Sequence, residues 1–480
     1  MLTVLVLGTT LGGVTASDPS QTSFVLERDP ARALRWLAVR PLDAVVVDAR
    51  RATGLGRAAV AEALEKLFPQ HDGHGLTRRG RTAVLIDGDA DGAEVAFACG
   101  LRRLPPPLVD PSDAALVAHV EGLLRARPPG KIALCLAGGG IEGLLYEVGA
   151  IRAIDQFLRD RRLCDFDLFL GISAGSILSG MLANGVTPAE VVDGLRNGNA
   201  RVPRITRFDL FDPDWSEYIR RSFGLARDLI GVGDARNPLS GVYRALPPAA
   251  FAGARLRGYF ERVFSGEGMS DSFEDIRRPL YVGATDQDTS EAVVFGEPGW
   301  THVPIHRAVR ASCALAPIYA PEKIDGRWFV DGAFTRTTNM RVAVKQGATM
   351  VVLIDPLVPI HSTVPGYVHS RGGLFTAMQG LKALINGRFD KAATTIAEMY
   401  PEVAFHLVRP EGDEMRVLSG SPMKFLYREE IEAMAFESVT RQIRSEVARW
   451  RHDFARHGVH FAELDRSARD PYSEGLELRP

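Results

Sequence analysis

Cysteine is scarce in this sequence, with four in 480 residues. The four, Cys99, Cys135, Cys164 and Cys313, are scattered, so no two have the Cys-x-x-Cys spacing of a zinc site or a redox pair. Such scattering also argues against a disulfide scaffold. The histidines are dispersed as well. Only His302 and His306 have His-x-x-x-His spacing, and because they flank Pro304 we expect a structural or surface pair, with no metal and no bound cofactor. The sequence therefore predicts reduced, mostly buried thiols, as in a cytoplasmic protein.

Long apolar runs and an excess of one charge are missing too. No uncharged apolar run reaches the length of a membrane span. Residues 1–8 are apolar without a basic segment before them, which predicts a strand and not a signal peptide. The formal net charge of −2 gives no basic field for nucleic acid. We therefore expect a cytoplasmic protein without a nucleic-acid partner, which meets lipid, if at all, as a peripheral contact. Its oligomeric state stays open.

The composition does provide a large globular interior, since 46% of the residues are hydrophobic and 24% are charged. This length accommodates two or three domains. In residues 1–127, apolar strands such as 2–7 and 44–47 alternate with helical patterns such as 57–67. This alternation predicts a parallel sheet covered by helices, in a small flavodoxin-like α/β domain. A Pro-Pro-Gly sequence then predicts a linker at 128–130.

Residues 1–127 resemble a response-regulator receiver domain. Asp48 follows the second apolar strand, at the place where a receiver carries its phospho-acceptor. Receivers hold Mg²⁺ with an acidic pair after the first strand, but Gly8, Thr9 and Thr10 stand there. The resemblance therefore implies a degenerate regulatory or docking domain, in which Asp48 is only a strand-end carboxylate.

The motifs that indicate a chemical function lie in residues 131–175. An apolar strand runs into a glycine cluster, a helix follows, and a second apolar strand ends in Gly-x-Ser-x-Gly around Ser173. Gly171 and Gly175 let the backbone pass close to its neighbours at this elbow, where a Cβ would clash. The next helix points its positive end at the site, which suits a developing anion. The pattern predicts an exposed serine nucleophile on a tight turn.

An activated serine also needs donors for an oxyanion and a base. Gly138, Gly139 and Gly140 lie between a strand and a helix, and their backbone N–H groups are the oxyanion candidates. Asp331 ends an apolar strand and begins an Asp-Gly-Ala turn. Because strand ends on one edge of a parallel sheet converge, we expect Asp331 near Ser173. Partial desolvation there would raise its pKa toward that of a useful base.

In this order, a glycine-rich strand–helix junction, Gly-x-Ser-x-Gly and Asp-Gly-Ala resemble the patatin-like phospholipases. The similarity covers residues 131–356 and includes Ala-Ser-Cys-Ala-Leu-Ala-Pro at 311–317 and Asn339. It implies a three-layer α/β/α core with a mostly parallel sheet, and a Ser173–Asp331 dyad without a histidine. The implied reaction is cleavage of carboxylic esters of phospholipids or other lipids through an acyl-enzyme, without metal or cofactor.

Glu142 departs from the family's pattern, which usually has Arg or Lys there, and a carboxylate facing an oxyanion would oppose catalysis. A catalytically degenerate regulatory or binding protein is therefore one alternative. An α/β-hydrolase is another, with a Ser-His-Asp triad that uses His361, His406 or His460. The glycine cluster also fits a dinucleotide fingerprint, but the next strand ends in Ser173, where that fold needs an acid.

Further segments belong to or follow the hydrolase domain predicted at 131–410. Residues 204–265 form an aromatic-rich helical insertion, either a cap that touches membrane or a helical pair packed on the sheet. Apolar residues in 374–385 recur at helical spacing beside basic ones, which fits a core-facing or a membrane-facing helix. Residues 411–480 are expected to be a C-terminal helical extension, with one long helix at 428–457.

Overall fold

The computed structural model of the chain contains two β-sheets with helices on their faces. It describes residues 2–8, 22–33, 42–52, 54–68, 81–102, 104–123, 130–213, 219–220, 223, 249–336, 338–360, 362, 364–400, 402–411 and 428–462. The predicted mixed α/β class with mostly parallel sheets is confirmed. The predicted domain boundaries stay a prediction.

The first sheet is five-stranded and consists of β1 Leu2–Leu7, β2 Thr22–Glu27, β3 Ala44–Asp48, β4 Thr82–Ile86 and β5 Leu108–Val109. Its strands lie in the order β2-β1-β3-β4-β5 with every pair parallel, which is the order of flavodoxin-like sheets. The described helices beside it are α1 Arg57–Leu67, α2 Ala90–Leu101 and α3 Asp113–Leu123. They pack on both faces, so β3 and β4 are buried along their whole length.

Asp48 ends β3, and its carboxylate is held by Arg50. The Arg50 guanidinium donates from Nε to Oδ1 at 3.0 Å and from Nη2 to Oδ2 at 2.9 Å. Asp48 itself is 2% exposed. A bidentate pair of this kind fixes both groups in one geometry. Asp48 therefore lies in an internal ion pair, while the receiver-like character of this domain stays a prediction.

The second sheet is eight-stranded and carries the candidate site. Its strands are β6 Lys131–Leu136, β7 Leu168–Ile172, β8 Leu280–Asp286, β9 Ala292–Phe295, β10 Glu322–Ile324, β11 Arg327–Asp331, β12 Ala348–Ile354 and β13 Ala404–Val408. They lie in the order β10-β11-β8-β7-β6-β12-β13, and β9 also pairs with β8. The run from β8 to β13 is parallel, whereas β9, β10 and β11 pair antiparallel. The glycine cluster and the Ser173 elbow therefore follow two neighbouring central strands, β6 and β7, whereas Asp331 ends β11, which is separated from β7 by β8.

Helices cover both faces of this sheet, which makes three layers. The described ones are α4 Gly140–Phe157, α5 Ala174–Ala183, α6 Pro188–Arg196, α7 Arg207–Leu210, α8 Ala254–Phe264, α9 Ile305–Ser312, α10 Met340–Lys345, α11 Gly373–Met399, α12 Arg428–Ser445 and α13 Val447–Arg456. Alternate residues of β6 point to opposite faces: Ile132 and Leu134 join one apolar core, and Ala133 and Cys135 join the other. All four cysteines are buried free thiols.

Helix α12 packs closely against α4, the helix that follows the glycine cluster. A Cβ on Gly149 would lie 2.3 Å from the Glu432 carbonyl oxygen and 2.7 Å from Ala435 Cβ. Glycine at this crossing therefore lets the two backbones approach. Ile431 and Val439 of α12 belong to the same buried core as the central strands, so this C-terminal helix supports the layer beneath the candidate site.

One predicted helix is wrong in detail. The pattern at 428–457 predicts one long helix, but the structure breaks it between α12 and α13 at Glu446, whose backbone has φ −127° and ψ 26°. Trp450 and Phe454 of α13 are buried in the core. Because of the break, both helices bury apolar residues in the core. The regular helical spacing of apolar residues in the sequence does not show such an interruption.

The remaining segments divide between core and surface. In the insertion, α8 is amphipathic and buries Phe260 and Phe264, whereas Phe208 and Phe223 are more than half exposed. In α11, Ile385 is buried and Leu384 is 70% exposed. Residues 214–218, 221–222 and 224–248 of the insertion lie outside the described residues. Among the described helices, none has the length and apolarity needed to cross a membrane. Membrane contact stays a prediction.

Candidate active site

Ser173 sits at a sharp elbow between β7 and α5. Its backbone has φ 53° and ψ −128°, an uncommon conformation for a non-glycine residue. The turn is held by its neighbours, since Gly175 N–H donates to the Ala137 carbonyl at 3.1 Å and Ser176 Oγ donates to the Ser173 carbonyl at 2.6 Å. Ser173 is therefore presented at the carboxyl end of a central parallel strand, at the positive end of α5.

The two elbow glycines lie where other backbone comes very close. A Cβ on Gly171 would be 2.4 Å from Ser176 Cα, and a Cβ on Gly175 would be 2.4 Å from the Ala137 carbonyl oxygen. Both distances are far below van der Waals contact, so any side chain would force the elbow apart. The glycines allow the tight strand–helix turn that the sequence pattern predicts.

The glycine cluster lies beside this elbow because β6 and β7 pair in register, with Leu136 opposite Gly171. A Cβ on Gly138 would be 2.8 Å from Ser173 Cβ, so the loop passes directly over the nucleophile. Gly140 has φ +63°, which favours glycine. Within the described part of the chain, the N–H groups of Gly138, Gly139 and Gly140 donate to no other protein group. They remain available to an anion.

Asp331 ends β11, and the Ser173 side chain is near enough to its carboxyl group to lower the pKa of that group. The carboxylate also accepts the N–H of Ala333 at Oδ1, at 2.9 Å, and the residue is 1% exposed. Burial raises the pKa of Asp331 to about 6, and the hydrogen bonds from Ser173 and Ala333 oppose that rise. Asp331 is therefore a buried carboxylate with a raised pKa, placed near the Ser173 side chain.

Two of the three histidines of the triad alternative, His406 and His460, lie in the part of the chain that the structure describes, and neither hydrogen-bonds to Ser173 or Asp331. The imidazole of His406 is buried and bonds through Nε2 to Asp453 Oδ2 at 2.9 Å, and burial lowers its pKa. His460 is exposed. His361 lies outside the described residues. Among the residues that the structure describes, no histidine hydrogen-bonds to Ser173 or Asp331.

Comparison with known proteins identifies the family of this domain. Residues 134–344 match the family model of patatin-like phospholipases. The chain carries a patatin-like phospholipase domain. The match lies within residues 131–356, for which the sequence predicted this resemblance, and the prediction is confirmed.

Solved structures with similarity to the chain include two bacterial proteins. VipD from Legionella pneumophila is 13% identical, with a TM-score of 0.33, over 72% of this chain and 73% of VipD. ExoU from the type III secretion system of Pseudomonas aeruginosa, solved in complex with SpcU, is 14% identical. That match has a TM-score of 0.29 and covers 67% of this chain and 53% of ExoU.

The other motif residues of the patatin-like domain also have defined places. Glu142 lies half-buried in the first turn of α4, next to the glycine loop. Asn339 precedes α10 and is 2% exposed. A Cβ on Gly283, in β8, would lie 3.0 Å from the Asn339 amide nitrogen. Asn339 thus packs against the strand that neighbours the elbow.

Sequence reasoning missed a contact that holds the acid turn of the patatin-like domain. Arg388, on α11, donates from Nη2 to the Ala333 carbonyl at 2.7 Å and from Nη1 to the Phe334 carbonyl at 2.6 Å. The guanidinium therefore anchors the short turn that begins at Asp331. Ion-to-backbone contacts between residues more than 50 positions apart leave no local pattern, so no sequence signal pointed to this one.

Among the described residues, no group of three or more His, Cys, Asp and Glu side chains could hold a metal ion. His302 and His306 illustrate this separation. His302 Nε2 pairs with Asp325 at 2.7 Å, and His306 Nδ1 pairs with Asp271 at 2.6 Å.

Proposed function

We propose that this chain is a serine acyl hydrolase that cleaves carboxylic esters of lipids through a Ser173–Asp331 dyad. Membership of the patatin-like phospholipase family supports lipid hydrolysis in general. The observation that carries the finer proposal is a buried Asp331 with a raised pKa, close enough to the elbow serine for the Ser173 side chain to oppose that rise.

Acylation begins when Ser173 Oγ attacks the ester carbonyl carbon and gives its proton to Asp331. A raised pKa makes Asp331 a better proton acceptor than an exposed aspartate. The carbonyl oxygen becomes an oxyanion beside the N–H groups of Gly138, Gly139 and Gly140, which stabilise it. The tetrahedral intermediate then collapses, and the leaving alcohol takes the proton from Asp331.

Deacylation repeats these steps with water. Asp331 takes a proton from water as the water oxygen attacks the acyl carbon on Ser173, and the same N–H groups stabilise the second oxyanion. Collapse of this intermediate breaks the bond to Ser173 Oγ, which recovers the proton. The products are a free carboxylic acid and the original enzyme. One carboxylate thus serves both half-reactions.

The pKa of Asp331 sets an expected pH profile. The base must be ionised, so kcat/KM should be half-maximal near pH 6, where the pKa lies. It should level off about one to two pH units above that midpoint and fall by about tenfold per pH unit well below it. Initial rates with a nitrophenyl ester whose own hydrolysis is corrected for would measure the profile. An ordinary aspartate would keep activity down to about pH 4, so a midpoint there would contradict a buried base.

Glu142 offers a test of the electrostatics at the glycine loop. Its negative charge lies two residues beyond Gly140 and opposes a developing oxyanion, so Glu142→Gln should raise kcat by roughly threefold to tenfold with little change in KM. Glu65→Gln, on an exposed position of α1, is the matched control and should have no effect. A large fall in kcat for Glu142→Gln would show that this carboxylate assists the reaction.

The experiment that tests the proposal is active-site labelling. A fluorophosphonate should modify Ser173 in the wild type, and peptide mass spectrometry should place the adduct there. Folded wild-type protein that neither reacts with the probe nor hydrolyses esters would instead favour a binding or regulatory descendant of the fold.

A further inference from the structure

The turn after α9, residues 312–314, makes direct contacts to both dyad residues. Ser312 is fully buried at the end of α9. Its Oγ accepts the backbone N–H of Ser173 at 2.7 Å and donates to the Gly283 carbonyl in β8 at 2.6 Å. The hydroxyl therefore links the elbow to the neighbouring strand, and both its donor and one acceptor site are used.

The same turn holds the acid from its backbone. The N–H of Asp331 donates to the Ala314 carbonyl at 3.0 Å. Ser312 and Ala314 are two residues apart, yet one holds the N–H of the serine and the other holds the N–H of the aspartate. The relative position of Ser173 and Asp331 is therefore set through a single short segment, as well as by the pairing of β8 with β7 and with β11.

The elbow needs such support because its backbone is strained. Ser173 has φ 53° and ψ −128°, which a residue with a Cβ adopts only when the surrounding structure holds it there. Without the Ser312 hydroxyl, the buried Ser173 N–H would have no hydrogen-bond acceptor, which costs free energy. A rotation of the Ser173 backbone that brought this N–H to another acceptor would then be favoured. Rotation of the elbow would move Oγ relative to Asp331 and the glycine loop.

We propose that Ser312 is a positioning residue for acylation, and that residues 312–314 form a shared cradle for the dyad. The inference rests on the proposed function, because positioning matters only if Ser173 is the nucleophile. Ser312 does not touch the substrate; it acts through Ser173. Since the Ser173 N–H is committed to Ser312, this N–H does not serve the oxyanion, and the glycine loop carries that role.

Comparison of Ser312→Ala with Ser179→Ala tests the cradle. Ser179 is an equally buried serine of α5, and its Oγ donates to the Leu170 carbonyl at 3.0 Å. Both variants lose a buried hydroxyl near the elbow, but only Ser312→Ala removes the acceptor of Ser173 N–H. We expect Ser312→Ala to lower kcat for a nitrophenyl ester by roughly tenfold to a hundredfold with unchanged KM, as for a small misplacement of reacting groups.

Two readouts separate positioning from general destabilisation. Rates are first divided by the concentration of sites that react with a fluorophosphonate, so that inactive protein is not counted. The midpoint of the pH profile in Ser312→Ala should equal that of the wild type, because Asp331 remains buried. Hydrogen exchange of the Ser173 amide, followed by NMR, should be faster in Ser312→Ala than in Ser179→Ala. Equal kcat and equal exchange in the two variants would overturn the proposal.

The outcomes also distinguish this inference from the proposed function. If wild type lacks esterase activity, the proposed function fails, and the exchange of the Ser173 amide alone decides whether Ser312 holds the elbow. If Ser312→Ala does not fold, Ser312→Cys takes its place, since a thiol is a weak acceptor of similar size. Ser312→Cys should then have a lower kcat than Ser179→Ala. A kcat equal to that of the wild type in Ser312→Cys would contradict the positioning role of Ser312.

Discussion

Ser173→Ala and Asp331→Asn should each lower kcat for a nitrophenyl ester by at least roughly a thousandfold, the scale seen when a nucleophile or its base is removed from a serine hydrolase. The alanine variant has no nucleophile. The asparagine variant keeps the shape of Asp331 but cannot take the serine proton. Because the two residues act as one unit, the double variant should be no slower than either single variant by more than a small factor.

Steady-state rates, with circular dichroism and thermal unfolding for each variant, would measure this effect. The folded state should persist in both, since each change is nearly isosteric. Replacing His406 or His460 provides the control, because neither contacts the dyad. A histidine variant that folds like wild type yet is as inactive as Ser173→Ala would contradict the dyad and favour a triad.

Gly138→Ala is expected to be the next most damaging change, with a fall in kcat of about a hundredfold or more. The new Cβ would meet Ser173 Cβ at 2.8 Å, so either the glycine loop or the nucleophile must move. Loss of one well-placed oxyanion donor alone costs a factor of about 100 to 1,000 in kcat. The change should affect kcat more than KM, because the oxyanion exists only in the transition state and intermediates.

Gly387→Ala is the matched control for this glycine. It lies in α11 next to Arg388, and a Cβ there meets nothing within 4 Å. A glycine-to-alanine change in an exposed helix position should leave kcat unaltered and stabilise the fold by about 1 kcal/mol or less. Full activity in Gly138→Ala, measured by the same nitrophenyl assay, would show that the loop does not sit over the nucleophile as the structure has it.

The central motifs could be predicted from sequence because each is local. An apolar strand, a run of small residues and a helix start are properties of consecutive residues, so the elbow around Ser173 is recognisable without a fold. The capping box is another such case: Thr187 and Glu190 cap α6 reciprocally, with Pro188 in its first turn. Asp331 is harder to recognise, because Asp-Gly is a common turn. It becomes a candidate base only because its motif follows the glycine cluster and Gly-x-Ser-x-Gly along the chain.

Other features were missed because they depend on contacts far apart in sequence. Ser312 belongs to the motif block at 311–317, yet its hydrogen bond to Ser173 spans 139 positions. Glu147 is a fully buried carboxyl on α4, with a pKa raised well above its usual range by burial and by Asp355. A glutamate in a helix is ordinarily expected on the solvent face. Asp355, which follows β12, is far along the chain from Glu147, so this buried environment leaves no local pattern in the sequence.

Two short strands could not be predicted from the sequence for a different reason. Strand β5 has two residues and β10 has three, which is too few for an alternating or apolar pattern to stand out. Each exists because a neighbouring strand offers it a partner, β4 for β5 and β11 for β10. Their presence is a property of the sheet and not of the local sequence.

Hydrolysis of mixed phospholipid vesicles by wild type and by Ser173→Ala, with the released acids identified by mass spectrometry, tests the central claim most directly. We predict that wild type releases free fatty acids and that Ser173→Ala releases none above the uncatalysed background. The set of acids released would also begin to define chain and position preference. Equal release by the two proteins, or none from folded wild type on vesicles and on a medium-chain nitrophenyl ester alike, would contradict a Ser173-dependent lipid acyl hydrolase.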